Sequence, residues 1–247
     1  MRVGALFNEV IMKIKNPFSH LTKFELILWL VSLTVVAASF IFSSDKDYLT
    51  LAASLVGVTA LIFIAKGLVF GQVMCVIFAV LYGIVSWNAR YYGEMITYIG
   101  MSAPAAIASI ISWLKNPYGK NDEVKVNRLS SKTVILVFAA TAAVTVAFYF
   151  ILGALGTASL WVSTLSVATS FMASALTFLR SPYYAIGYAA NDVVLIVLWI
   201  ISASQNISDL PMIFCFVMFL LNDLYGFISW RRMEKRQKRE KALEMQN

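Results

Sequence analysis

Eight stretches of about 20 predominantly apolar residues take up most of this chain, at 24–43, 48–66, 71–89, 93–114, 133–153, 158–179, 183–203 and 209–230. Each is the length an α-helix needs to cross roughly 30 Å of hydrocarbon. Backbone polar groups find no water there, so a spanning segment must satisfy its own hydrogen bonds. The expected fold is an all-α polytopic membrane protein with eight transmembrane helices in the lipid bilayer. A mean hydropathy of +0.77 excludes a soluble domain.

The net charge of +7 invites a nucleic-acid reading, but the basic residues flank the apolar runs. With the N-terminus placed in the cytoplasm, Arg2, Lys13, Lys15, Lys23, Lys66, Lys115, Lys120, Lys125, Arg128, Lys132, Arg180 and the cations of 231–241 fall inside. Only Lys46 and Arg90 fall outside. That asymmetry is the positive-inside pattern, so both termini are expected in the cytoplasm, and no nucleic-acid partner is expected. The first run competes with a signal peptide, since Ala37-Ala38-Ser39 loosely resembles a cleavage site. Its length favours a membrane anchor.

The runs divide as 1+3+1+3: a cytoplasmic segment 1–23, an extra helix 24–43, a three-helix unit 48–114, a linker helix 133–153, a second unit 158–230 and a basic tail 231–247. Lys66 and Arg180 mark corresponding inner turns, and Ile111-Ser112-Trp113 echoes Ile228-Ser229-Trp230. One linking helix gives both units the same orientation, so they form parallel repeats with a substrate site expected between them near the midplane. The tail is expected to continue the last helix as a solvated, lipid-facing charge run.

Asn191 and Asp192 lie midway along 183–203, and Asn222 and Asp223 inside 209–230. A carboxylate at the bilayer centre costs roughly 2.5–3.5 kcal/mol on insertion scales and faces a bundle interior or a wet cavity. Counting residues from the inner ends puts the two pairs in one layer. They form either a ligand site or a purely structural hydrogen-bond network. Gln72 and Asn88 are further membrane polar residues, and 158–179 is rich in Ser and Thr. Tyr82, Tyr98, Trp161, Phe171 and Tyr188 lie deep enough to stack on a flat ligand ring, or simply to pack.

Catalysis is not indicated. The only histidine, His20, lies outside the apolar runs, which removes a His-based triad and an HExxH site. Neither aspartate sits in a Gly-x-Gly-Asp setting, and no phosphate-cradling glycine loop is present. Cys75 and Cys215 lack partners at ligand spacing, so no metal or cofactor is expected.

The order Leu81-Tyr82-Gly83, Trp87-Asn88, Tyr92-Gly93-Glu94, Pro104 and Trp113, then Asn191-Asp192, Asn222-Asp223, Gly226 and Trp230 resembles the PnuC family of bacterial vitamin transporters over about 48–230. Within it, the pattern is most similar to nicotinamide riboside transporters. The resemblance implies facilitated uptake across the bacterial inner membrane, a SWEET-like fold, a homotrimer, and trapping of substrate by a cytoplasmic kinase. Thiamine and riboflavin stay open as substrates, because Ser181-Pro182-Tyr183-Tyr184 stands where the family has a Trp-rich helix start. With this resemblance, Asn88, Asn191, Asp192, Asn222 and Asp223 are expected to bond ribose hydroxyls or the carboxamide, with Gln72 assisting. Tyr82, Trp161 or Phe171 would stack on the pyridinium. Proton-coupled uptake and a ligand-binding membrane receptor or scaffold are the alternatives.

Overall fold

The computed structural model describes residues 17–43, 46–119, 123–157 and 159–246. Arg2, Lys13, Lys15 and Lys120 of the charge count lie outside these. Among the described residues, eight helices are long and apolar enough to cross a membrane. They are α1 (Lys23–Phe42), α2 (Tyr48–Ala65), α3 (Val69–Asn88), α4 (Tyr92–Leu114), α5 (Ser131–Ala154), α6 (Leu160–Phe178), α7 (Tyr184–Ala203) and α8 (Leu210–Glu244).

Local chemistry sets where these helices begin and end. Thr22 and Glu25 form a reciprocal capping box at the start of α1, and Asp47 accepts the Leu49 and Thr50 amides at the start of α2. Such caps contribute about 1 kcal/mol each. At the far end of α2, Gly67 takes φ +69°, and its amide and that of Leu68 bond Ile64 O and Phe63 O. Arg180 closes α6 in the same way at φ +58°, with bonds from Arg180 and Ser181 to Thr177 O and Leu176 O. A left-handed residue there satisfies carbonyls the helix leaves orphaned.

α4 is not a continuous α-helix. It runs as α-helix over Tyr92–Ile96, opens into a π turn over Thr97–Ser102 and resumes at Ala103, whose amide reaches back five residues to Tyr98 O. Pro104 follows immediately and brings no amide of its own, which relieves the register change.

The helices pack around a core of aromatic rings. Tyr82 and Trp199 are fully buried, and the Trp199 indole donates to the Tyr82 hydroxyl at 2.9 Å. Phe78, Tyr98, Phe216 and Phe219 surround them with ring centroids 4.3–5.8 Å apart. α2 packs on α3 and α8, α4 on α3 and α6, and α7 on α6 and α8. The Trp113 indole on α4 donates to Thr177 O of α6, and the Trp230 indole on α8 donates to Ile64 O of α2. Ser112 and Ser229 beside them donate to Phe178 O and Ala65 O. The two indoles meet at 5.4 Å.

α1 is bound by polar contacts to α2 and α8: Trp29 donates to Thr59, Asn222 to Ser32 and the Tyr225 hydroxyl to Glu25. α5 packs chiefly on α6 and buries only Val137, Thr141 and Leu152, so its apolar surface faces outward.

The tail departs from the expected solvated run. α8 does continue past the membrane, but Glu234 and Gln237 are buried against a short hairpin of β1 (Pro117–Tyr118) and β2 (Glu123–Val124). Gln237 bonds Glu123, Val124 O and the Val126 amide, Glu234 pairs with Arg128 and Arg231 at 2.6 Å each, and Arg236 pairs with Glu123. The Tyr118 hydroxyl donates to Glu240, whose carboxylate holds the phenol up at about 12. Apart from Arg231–Glu234, these side-chain pairings join residues more than a hundred positions apart, beyond the reach of local charge patterning.

Candidate functional site

Polar residues on α3 and α7 and an acid on α8 converge on a cavity in the middle of the bundle. Asp192 stands eight residues from the start of α7, about 12 Å at 1.5 Å per residue, and Asp223 seven residues before Trp230, about 10 Å. The two carboxyls face each other across the α7–α8 contact. Gln72 and Cys75 on α3 and Asn191 on α7 complete the polar wall. Phe78, Tyr98, Tyr184, Tyr188 and Phe219 supply aromatic surface, while Gly57 on α2 leaves room where a Cβ would strike the Phe219 ring at 2.1 Å.

The cavity holds about 50 Å³, far below the roughly 300–1,000 Å³ of pockets that enclose drug-sized ligands. Tyr82, Trp199 and Phe216 fill the bundle on one side of it, and Trp113, Trp230 and Tyr184 on the side of the basic turns. Its polar groups are incompletely paired. Gln72 Nε2 and Asp192 Oδ2 are buried without a hydrogen-bond partner among the described residues. Burying such groups unpaired costs about 1–3 kcal/mol each, so the wall is built to receive hydrogen bonds. None of the lining residues is Lys, Arg or His. The wall therefore suits a cation or a neutral polar molecule and repels an anion.

Of the residues expected to contact substrate, Gln72, Asn191, Asp192 and Asp223 line this cavity. The Asn191 Oδ1 accepts from Ser166 and Thr169 of α6 at 3.2 and 2.9 Å. The others sit elsewhere. Asn222 turns its amide to Ser32 on α1 and to Met218 O, so it joins helices away from the cavity. Asn88 is exposed at the last residue of α3. Trp161 is 72% exposed and packs on Tyr149 of α5, leaving its ring outside the bundle. Phe171 is half-buried on α6 and does not line the cavity. Tyr82 lies one ring beyond it, stacked on Phe78.

Tyr184, the first residue of α7, is 1% exposed and lies in the cavity wall. Glu94, fully buried on α4, was not singled out as a site residue. Its signal was a carboxylate inside the apolar run 93–114, masked by its nearness to the run's end.

A small cavity with incompletely paired polar groups, midway along a bundle of membrane-length helices, is what a membrane transporter needs. The chain belongs to the nicotinamide mononucleotide transporter family, whose model matches residues 47–232. The family is one of transporters rather than enzymes, and the protein is a multi-pass membrane protein. It is similar to the nicotinamide riboside transporter PnuC of Neisseria mucosa, 29% identical and covering 90% of this chain and 86% of that one. The nicotinamide riboside transporter PnuC of Haemophilus influenzae is 24% identical over 85% of this chain and 91% of its own length. A crystal structure of the vitamin B3 transporter PnuC superposes with a TM-score of 0.78 at 28% identity, covering 88% of this chain and 94% of that one.

Proposed function

We propose that the protein carries nicotinamide riboside across the bacterial inner membrane by facilitated diffusion, through the cavity bounded by Asp192 and Asp223. The observation that carries this reading is the facing pair of carboxyls in a wall of aromatic rings with no basic residue. Nicotinamide riboside bears a fixed positive charge on a flat ring, for which carboxylates and aromatic faces are the matching chemistry. The family's description names the mononucleotide, whereas both relatives are named for the riboside. The wall favours the riboside, since the phosphate of the mononucleotide would meet two carboxyls and no cation.

The matched latches support movement by two parallel three-helix repeats, 48–114 and 158–230, in a SWEET-like 1+3+1+3 arrangement. Ser112 and Trp113 hold the carbonyl end of α6, and Ser229 and Trp230 hold that of α2. Rocking one unit against the other would open the small cavity to either side. The basic end carries Lys66, Lys115, Arg180 and Arg231 and faces the cytoplasm in this reading, with both termini inside. The outward apolar face of α5 suits lipid or a neighbouring subunit of a homotrimer.

The test is a thermal-shift or calorimetric titration of the purified protein with nicotinamide riboside, its mononucleotide, thiamine and riboflavin. A ligand at a hundredfold its dissociation constant stabilises the folded state by about 2.7 kcal/mol. Stabilisation by the riboside alone supports the reading. Preference for the mononucleotide or riboflavin contradicts the charge assignment, and preference for thiamine, itself a cation, contradicts the choice of substrate. The facing carboxyls also suit proton-coupled uptake, which predicts accumulation driven by an imposed pH gradient rather than equilibration.

A further inference from the structure

Glu94 is a membrane carboxyl that the substrate cavity does not include. It is 0% exposed, and its Oε2 lies 3.2 Å from the Ser166 hydroxyl while Oε1 is without a partner among the described residues. Ser166 stands 3.2 Å from Asn191 Oδ1 as well, and Asn191 lines the cavity. The carboxyl thus lies one hydroxyl beyond the cavity wall. Thr97, one turn along α4 from Glu94, and Ser170, one turn along α6 from Ser166, are also buried with unpaired hydroxyls.

This cluster sits where α4 changes from α-helix to π turn, an irregularity found mostly at functional sites. Buried polar atoms are overwhelmingly paired in folded proteins, so several unpaired ones together mark a place that a ligand completes. The groups present decide which kind. A cation calls only for acceptors, whereas the hydroxyls of Ser166, Thr97 and Ser170 can both donate and accept. A carboxylate is also the group that holds a ribose hydroxyl in dinucleotide-binding folds.

Resting on the nucleoside reading of the cavity, we infer that Glu94, with Ser166 and Asn191, forms a second subsite that takes the sugar hydroxyls when the cavity opens. Asp192 and Asp223 then face the charged ring, and the nucleoside lies with its sugar toward α4 and α6. Glu94 selects a ribosylated ring over one lacking the hydroxyls.

The experiment compares calorimetric binding of nicotinamide riboside and its 2′,3′-dideoxy analogue to wild type, Glu94→Ala and Ser166→Ala. Wild type should prefer the riboside by about tenfold or more, the scale of a hydrogen bond to a charged group. Glu94→Ala should bring that ratio close to one by weakening the riboside alone, with retained binding of the dideoxy analogue reporting an intact fold. Where Glu94→Ala loses both ligands, Ser166→Ala decides: a reduced ratio supports the subsite. A wild-type ratio retained in both variants overturns it. Wild type that binds neither ligand instead overturns the nucleoside reading of the cavity, and the subsite with it.

Discussion

Asn191 and Asn222 are the same residue type at similar depth, yet one lines the cavity and the other ties α8 to α1. Depth follows from counting residues, but facing follows from which helix lies alongside, and here that helix is α1. Asp192 and Asp223 both line the cavity. Replacing Asp192 with Asn should slow uptake of cationic nicotinamide riboside at least tenfold. It should leave the neutral dihydro form, of nearly the same shape, within about threefold. Parallel uptake assays with the two labelled compounds check this. Equal losses would mean that the carboxyl acts through structure rather than charge. Trp161, with its ring outside the bundle, should tolerate Ala with uptake within about twofold of wild type.

Helix ends and crossings carry the next level of organisation. The echo of Ile111-Ser112-Trp113 by Ile228-Ser229-Trp230 was legible in the sequence; the use of each Ser-Trp pair to hold the last carbonyls of another helix, α6 or α2, was not. Those bonds join residues over 60 and over 160 positions apart, and no local pattern encodes them. Trp113→Phe and Trp230→Phe each delete one indole donor and should lower the unfolding midpoint by similar amounts, about 2–4 °C for a loss near 1 kcal/mol. Differential scanning of the two variants tests the proposed equivalence of the two three-helix repeats. At the α2–α3 contact, a Cβ on Gly71 would approach the Ile64 amide nitrogen to 2.5 Å, and backbone cannot step aside as a side chain can. Gly71→Ala should therefore cost about 1–3 kcal/mol, seen as a lower midpoint in the same scan.

The bundle as a whole was the most legible part, because crossing a bilayer forces about 20 apolar residues per span, and the α-helical spans 48–66 and 183–203 are found as Tyr48–Ala65 and Tyr184–Ala203. The π turn in α4 has no mark of its own in the sequence, because Pro104 is equally compatible with an ordinary kink. The docking of Glu234 and Gln237 on the hairpin escaped because their charged and polar neighbours read as a solvated face. The central claim is that a closed cavity with two carboxyls is the midpoint of a passive route for a cationic nucleoside. Its most direct test is entry of labelled nicotinamide riboside into proteoliposomes with no ion gradient imposed, for wild type and Asp192→Asn. The account predicts that wild type brings the label to equal concentration on both sides and no further, with the variant at least tenfold slower. Entry no faster than into protein-free vesicles, or entry unaffected by the substitution, would contradict it.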